Sequence, residues 1–242
     1  MRIDYTRYYN KWHPNTTEHQ EYMNSYYRRV LGARLPDDRN ARILDVGCGS
    51  GMALAALRKM GYSRLSGVEF SPEQADAARK KGFEVTQTED TVGFLRGRRG
   101  EFDLVLALDV LEHIPAPGQL DFVAAICGSL CPQGRLLCTV PNANSVLASR
   151  WRYNDWTHHF SFTEPSLDFL LYNAGFDPIS VHPAEFHERP RLWWLPVGGS
   201  RHWWALRFFR FWRRLEMMAE LGPEQGRSVP LSLNLLAVAV KK

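Results

Sequence analysis

The sequence has no apolar run near the ~20 residues that a helix needs to cross a bilayer. Its 45% hydrophobic content is therefore expected to fill a core. The stretch Met1-Arg2-Ile3-Asp4-Tyr5 lacks the charged-then-apolar pattern of a secretory signal. Cysteine is scarce: the four residues Cys48, Cys127, Cys131 and Cys138 form no C-x-x-C pair. That excludes zinc-ribbon and dithiol motifs and predicts buried free thiols in a reducing, cytoplasmic setting. Cys127 and Cys131 would share a helical face if their helix continued that far. Net charge is only +4, too small by itself to argue for nucleic acid. No carboxylate and histidine set has metal-like spacing along the chain, so metal independence is expected. The length suits one α/β domain with a full core.

What is present centres on Ile43-Leu44-Asp45-Val46-Gly47-Cys48-Gly49-Ser50-Gly51. A short apolar run ends in glycines spaced G-x-G-x-G, and Met52-Ala53-Leu54-Ala55-Ala56-Leu57 follows, rich in helix formers. The pattern predicts strand, tight turn, helix. Gly47 permits positive φ, Gly49 permits close approach of a ligand, and Gly51 lets the helix start pack on the strand. The N–H groups at that helix start favour a negatively charged group. The dinucleotide fingerprint G-x-G-x-x-G is not met, because its sixth position is Met52. Glu69 ends the next strand, Leu65 to Val68, where a carboxylate can accept bonds from two ribose hydroxyls. Phe102 to Leu108 is apolar throughout, as a strand buried on both faces should be, and it exits through Asp109-Val110-Leu111-Glu112-His113.

From Ile43 to Phe176 these residues resemble the class I S-adenosylmethionine-dependent methyltransferases, closest to those acting on glycans and small-molecule hydroxyls. The resemblance implies a three-layer, Rossmann-like α/β fold with a mostly parallel seven-stranded sheet and an antiparallel last strand. It implies S-adenosylmethionine as cofactor. The positions implied to hold it are Asp45, Gly47, Cys48, Gly49, Gly51, Glu69, Phe70 against adenine, Asp90 (or Glu89) at the adenine amino group, and Leu108 and Asp109 at the amino acid half. Tyr9, Trp12 and His13 are lid candidates. A helix is predicted over Glu18 to Leu31, capped by Asn15, Thr16 or Thr17. Another starts at Ser71-Pro72 with a capping box closed by Gln74 and stops at Gly82.

The stretch Asn144 to Thr163 mixes polar, aromatic and titratable groups without a clean period. It resembles the D-x-T-H and F-T segments of sugar methyltransferases, which puts Asp155, Thr157 and His158 at the motif positions. Histidine can take a hydroxyl proton near neutral pH. His158 is the expected base, and Asp155 orients it or binds substrate. His113 is a weaker candidate, more often a structural residue. The expected acceptor is a sugar hydroxyl of a glycan or lipid-linked saccharide. A membrane-soluble phenol is the alternative, and a non-catalytic cofactor-binding docking protein is the rival from another class.

The chain divides into an N-terminal lid and helix segment (1–40), a cofactor-binding core (41–182), an insertion (183–230) and the last strand (231–240). From Arg189 to Leu215 there are seven arginines and no acid. On a helix, Trp204, Phe208, Phe211, Trp212 and Leu215 share one face and Arg207, Arg210 and Arg214 another. Residues 202–215 thus suit a membrane surface, on its inner side, or packing against the protein or a second copy; nucleic acid is disfavoured.

Overall fold

The computed structural model describes residues 16–184, 190, 193–195 and 199–242. The lid candidates Tyr9, Trp12 and His13 lie outside the described residues. The first helix, α1 (Thr17–Leu31), is capped by Thr16, whose hydroxyl accepts the His19 N–H. Then come β1 (Ile43–Val46), α2 (Met52–Lys59), β2 (Leu65–Glu69), α3 (Pro72–Lys80), β3 (Glu84–Gln87) and α4 (Thr91–Arg96). They lead to β4 (Phe102–Leu108), α5 (Ala116–Ser129), β5 (Leu130–Pro141), α6 (Ala148–Asn154), α7 (Glu164–Asn173) and β6 (Phe176–Ala184). The chain closes with α8 (Gly199–Leu221), α9 (Pro223–Ser228) and β7 (Asn234–Lys241).

The sheet has seven strands in the order β3-β2-β1-β4-β5-β7-β6. All pairings are parallel except those of β7, which runs against both β5 and β6. This is the expected three-layer arrangement. Strand alternation divides the core: Val105 and Ala107 of β4 join Phe122 of α5 and Leu167 of α7 on one face, while Leu104 and Leu106 join Leu31 of α1 and Leu57 of α2 on the other.

Local chemistry moved some boundaries. The helix after Ser71 stops near the expected glycine, with Gly82 at φ +80°. Its capping box is only half made. Ser71 Oγ accepts the Gln74 N–H, but the Ser71 N–H already donates to Glu69 at 2.9 Å, so Gln74 has nothing to return to. Strand β5 starts at Leu130 and kinks at Gln133 (φ +63°) before regular pairing from Arg135. Cys131 is therefore on a strand, not on a helical face with Cys127, and its Sγ lies against Asp103. All four cysteines are free.

Because β7 is reversed, Ala184 at the end of β6 and Pro141 at the end of β5 both pair with Asn234 at its start. The insertion therefore leaves and re-enters the sheet at the edge where β1, β2 and β4 also end.

Candidate active site

The glycine turn and β2 meet through one carboxylate. Glu69 accepts the Gly49 N–H at 2.7 Å on Oε2 and the Ser71 N–H at 2.9 Å on Oε1. Burial raises its pKa, and the backbone N–H bonds oppose that shift. A carboxylate offers about four acceptor sites in all, so acceptor capacity remains after these bonds. Gly47 has φ +71°, and a Cβ there would lie 2.8 Å from Val110 Cγ2. Replacing Gly47 with alanine should cost about 1–3 kcal/mol through backbone strain and this collision; a melting curve matching wild type would refute the assignment. Gly51 is also left-handed (φ +78°), but the space it leaves is filled by Phe83 and Ala78. Its missing side chain thus lets the turn pack on α3 and the start of β3, not on β1 as expected.

At Cys48 the N–H closes the turn onto Val68 O, and Sγ fills the space over Gly67. Asp45 is 2% exposed. Burial, then the Glu69 charge, push its carboxyl up to about 8 from 3.8. The folded state thus holds that proton more tightly than the unfolded chain. Stability relative to Asp45→Asn is fullest below about pH 4 and is lost as pH climbs towards about 8. Melting both proteins across that window checks this; a constant gap would refute it.

Phe70, next to Glu69, is 57% exposed. Asp90 caps α4 by accepting the Gly93 N–H at 2.8 Å, so one oxygen is committed to the fold. Leu108 ends β4, and Asp109 follows with φ +55°. Thr139 Oγ1 and Asn234 Nδ2 both donate to Asp109 Oδ1 at 3.0 Å. Asp109 keeps exposed surface, yet the protein around it raises its carboxyl.

A second cluster stands at the same edge. Thr157 Oγ1 donates to Asp155 Oδ1 at 2.6 Å. Its lone pairs therefore face His113 Nδ1 at 2.8 Å, which must carry the hydrogen. His158 Nδ1 lies 2.8 Å from the Trp151 carbonyl. A carbonyl only accepts, so this nitrogen is also the protonated one, and Nε2 of the neutral ring is a lone pair. The two rings meet edge to face at 4.7 Å. Burial, then His158, lower the His113 pKa to about 4. Asp155 Oδ2 is 3.8 Å from His158 Nε2, too far for a hydrogen bond. The expected Asp155–His158 pairing thus becomes a charge contact, and the Trp151 carbonyl orients His158.

Glu112 is buried, and its carboxyl is pushed well above the usual range by desolvation, then by Asp109. Glu112, His113 and His158 each place one ligand atom within 4.8 Å of the others. Spacing along the chain concealed this set, because a loop far from the L-E-H segment supplies His158.

The methyltransferase-domain profile matches residues 19–181, most of the chain. The chain belongs to the methyltransferase-domain family. It is an S-adenosylmethionine-dependent methyltransferase of class I fold. A ubiquinone biosynthesis O-methyltransferase of Cereibacter sphaeroides is 28% identical over 183 residues, covering 69% of this chain and 72% of that one. One of the same name from Methylocella silvestris is 33% identical over 182 residues, covering 70% of this chain and 62% of that one. A methyltransferase structure from Archaeoglobus fulgidus superposes with a TM-score of 0.69 at 19% identity, covering 99% of this chain and 100% of that one. That likeness, at such identity, concerns the fold.

The methyltransferase holds further site residues that the sequence reading missed. Tyr26 of α1 packs on the same core face as Leu108, where burial, then the Asp109 charge, push its phenol upward. Lys81 Nζ donates to Ser50 O at 2.7 Å and ties down the glycine turn. Thr139 and Asn234 position Asp109 from β5 and β7. Thr139 and Asn234 lie near strand ends, which is their sequence signal; Tyr26 on α1 and Lys81 after α3 carried none.

Proposed function

We propose that this methyltransferase transfers its methyl group to a phenolic hydroxyl of a membrane-soluble quinone precursor. S-adenosylmethionine, when bound, supplies a methyl on a positive sulfonium, activated for displacement. The Gly47–Gly49 turn, Glu69 and Phe70 would hold its nucleoside, with Asp109 towards the amino acid half. The fit rests on the left-handed glycine turn, which brings the Gly49 N–H onto Glu69, and on the acceptor capacity that the Glu69 carboxylate retains.

The observation that carries the acceptor reading is the tautomer of His158. With Nδ1–H donated to Trp151 O, Nε2 is available to take a hydroxyl proton as the oxygen attacks. Asp155 Oδ2 at 3.8 Å would stabilise the positive ring that results. A phenol, at a pKa of about 10, asks less of such a base than a sugar hydroxyl does. The curated relatives named for ubiquinone biosynthesis favour the phenol as well. The D-x-T-H likeness keeps the sugar hydroxyl as the second reading. The free thiols suit a cytoplasmic site.

Purified protein with methyl-labelled cofactor should label a short-chain, water-soluble catechol in preference to soluble saccharides. Label in the saccharide alone would overturn the phenol reading. No transfer to either would leave the non-catalytic reading standing.

A further inference from the structure

We propose that α8 docks the protein on an anionic phospholipid surface, with its aromatic face entering the interface. The idea deepens the acceptor reading and rests on it for its purpose, since a membrane-soluble phenol would be met there.

The polarity of α8 is reversed for a helix on a water-soluble body. Trp204, Phe208, Phe211, Trp212 and Leu215 form its outer face; Phe208 and Phe211 are each 58% exposed. The opposite side is fixed to the protein. Arg214 donates to the carbonyls of Gly226 and Val229 at 2.7 and 2.6 Å. Gly226 sits so close under Met218 that a Cβ there would lie 2.5 Å from Met218 Cα. A cation is therefore used to anchor the helix while the rings face outward. Contiguous exposed rings of this kind mark a contact surface.

The charges choose the occupant. Arg201, His202 and Arg207 are exposed around the rings, and no acid precedes Glu216 on the helix. Tryptophan and phenylalanine beside arginine match the boundary between acyl chains and phosphates. In a two-fold contact between copies, the same arginine-rich strip would face itself. No described helix is long and apolar enough to cross a membrane, so the contact is one of lying on the surface.

The patch also leads to the chemistry. Val146 and Leu147, at 68% and 41% exposure, line an apolar groove with Leu206 and Phe209 of α8 and with Leu231 and Leu233. Leu233 is followed by Asn234, whose amide holds Asp109. Val146 and Leu147 lead into α6, which ends at Asp155.

Flotation of the full chain with phosphatidylglycerol-containing and pure phosphatidylcholine vesicles tests the proposal. Binding should favour the anionic vesicles and weaken with salt. The exposed triple variant Phe208→Ser, Phe211→Ser, Trp212→Ser should bind about tenfold less or weaker still. Its melting temperature, cofactor affinity and turnover of a water-soluble catechol should match wild type. Equal flotation of the variant, no preference for anionic vesicles, or a dimer that the variant dissociates would each overturn it. Docking without catechol turnover would support the surface and sink only the acceptor reading.

Discussion

Replacing Glu69 with alanine should weaken S-adenosylmethionine binding by about 10²-fold or more. Two effects add. The ribose hydroxyls lose a charged acceptor, at about 1.5–3 kcal/mol for each such bond. The glycine turn also loses its clamp, because Glu69 holds the Gly49 and Ser71 N–H groups at 2.7 and 2.9 Å. Glu69→Gln should fall between, since an amide keeps one acceptor oxygen. Calorimetric titration with S-adenosylhomocysteine reads the effect directly. An affinity within threefold of wild type for the alanine variant would remove Glu69 from the nucleoside site.

His158→Ala should lower kcat by about 10²–10⁴-fold while leaving cofactor affinity unchanged. His113 is the necessary control, because its ring lies 4.7 Å away from that of His158. Desolvation decides between them. Burial lowers the His113 pKa to about 4, so the positive ring that a base must become is disfavoured there. His113→Gln should therefore cost less turnover than His158→Ala. Its larger effect should be on the thermal stability of the Asp155–Thr157 loop, which His113 supports through Thr157. The reverse ranking of the two variants in kcat would exchange their roles.

Residues that act within one turn of chain were readable before any coordinates. Gly47, Gly49 and Glu69 fall at a strand, a tight turn and the end of the neighbouring strand, so their meeting follows from one βαβ unit. The mostly parallel sheet with a reversed last strand followed from the family resemblance, and the strand order came with the structure. The histidine site was readable only in part. His158 stood out by its neighbours in the motif, but its orienting group is a backbone carbonyl, that of Trp151, which no residue type announces. The donor set of Glu112, His113 and His158 depends on where a loop folds back. Periodicity gave both faces of α8 correctly, yet not which one faces inward. Packing against α9 and the carbonyls of Gly226 and Val229 settles that, and neither is visible in a helical repeat.

The reversed β7 means that chain added between Ala184 and Asn234 begins and finishes within reach of Asp109. Its length can change without altering any strand pairing or the Glu69 clamp. A new contact surface could thus be grafted there by rewriting a single segment, with the glycine turn left untouched.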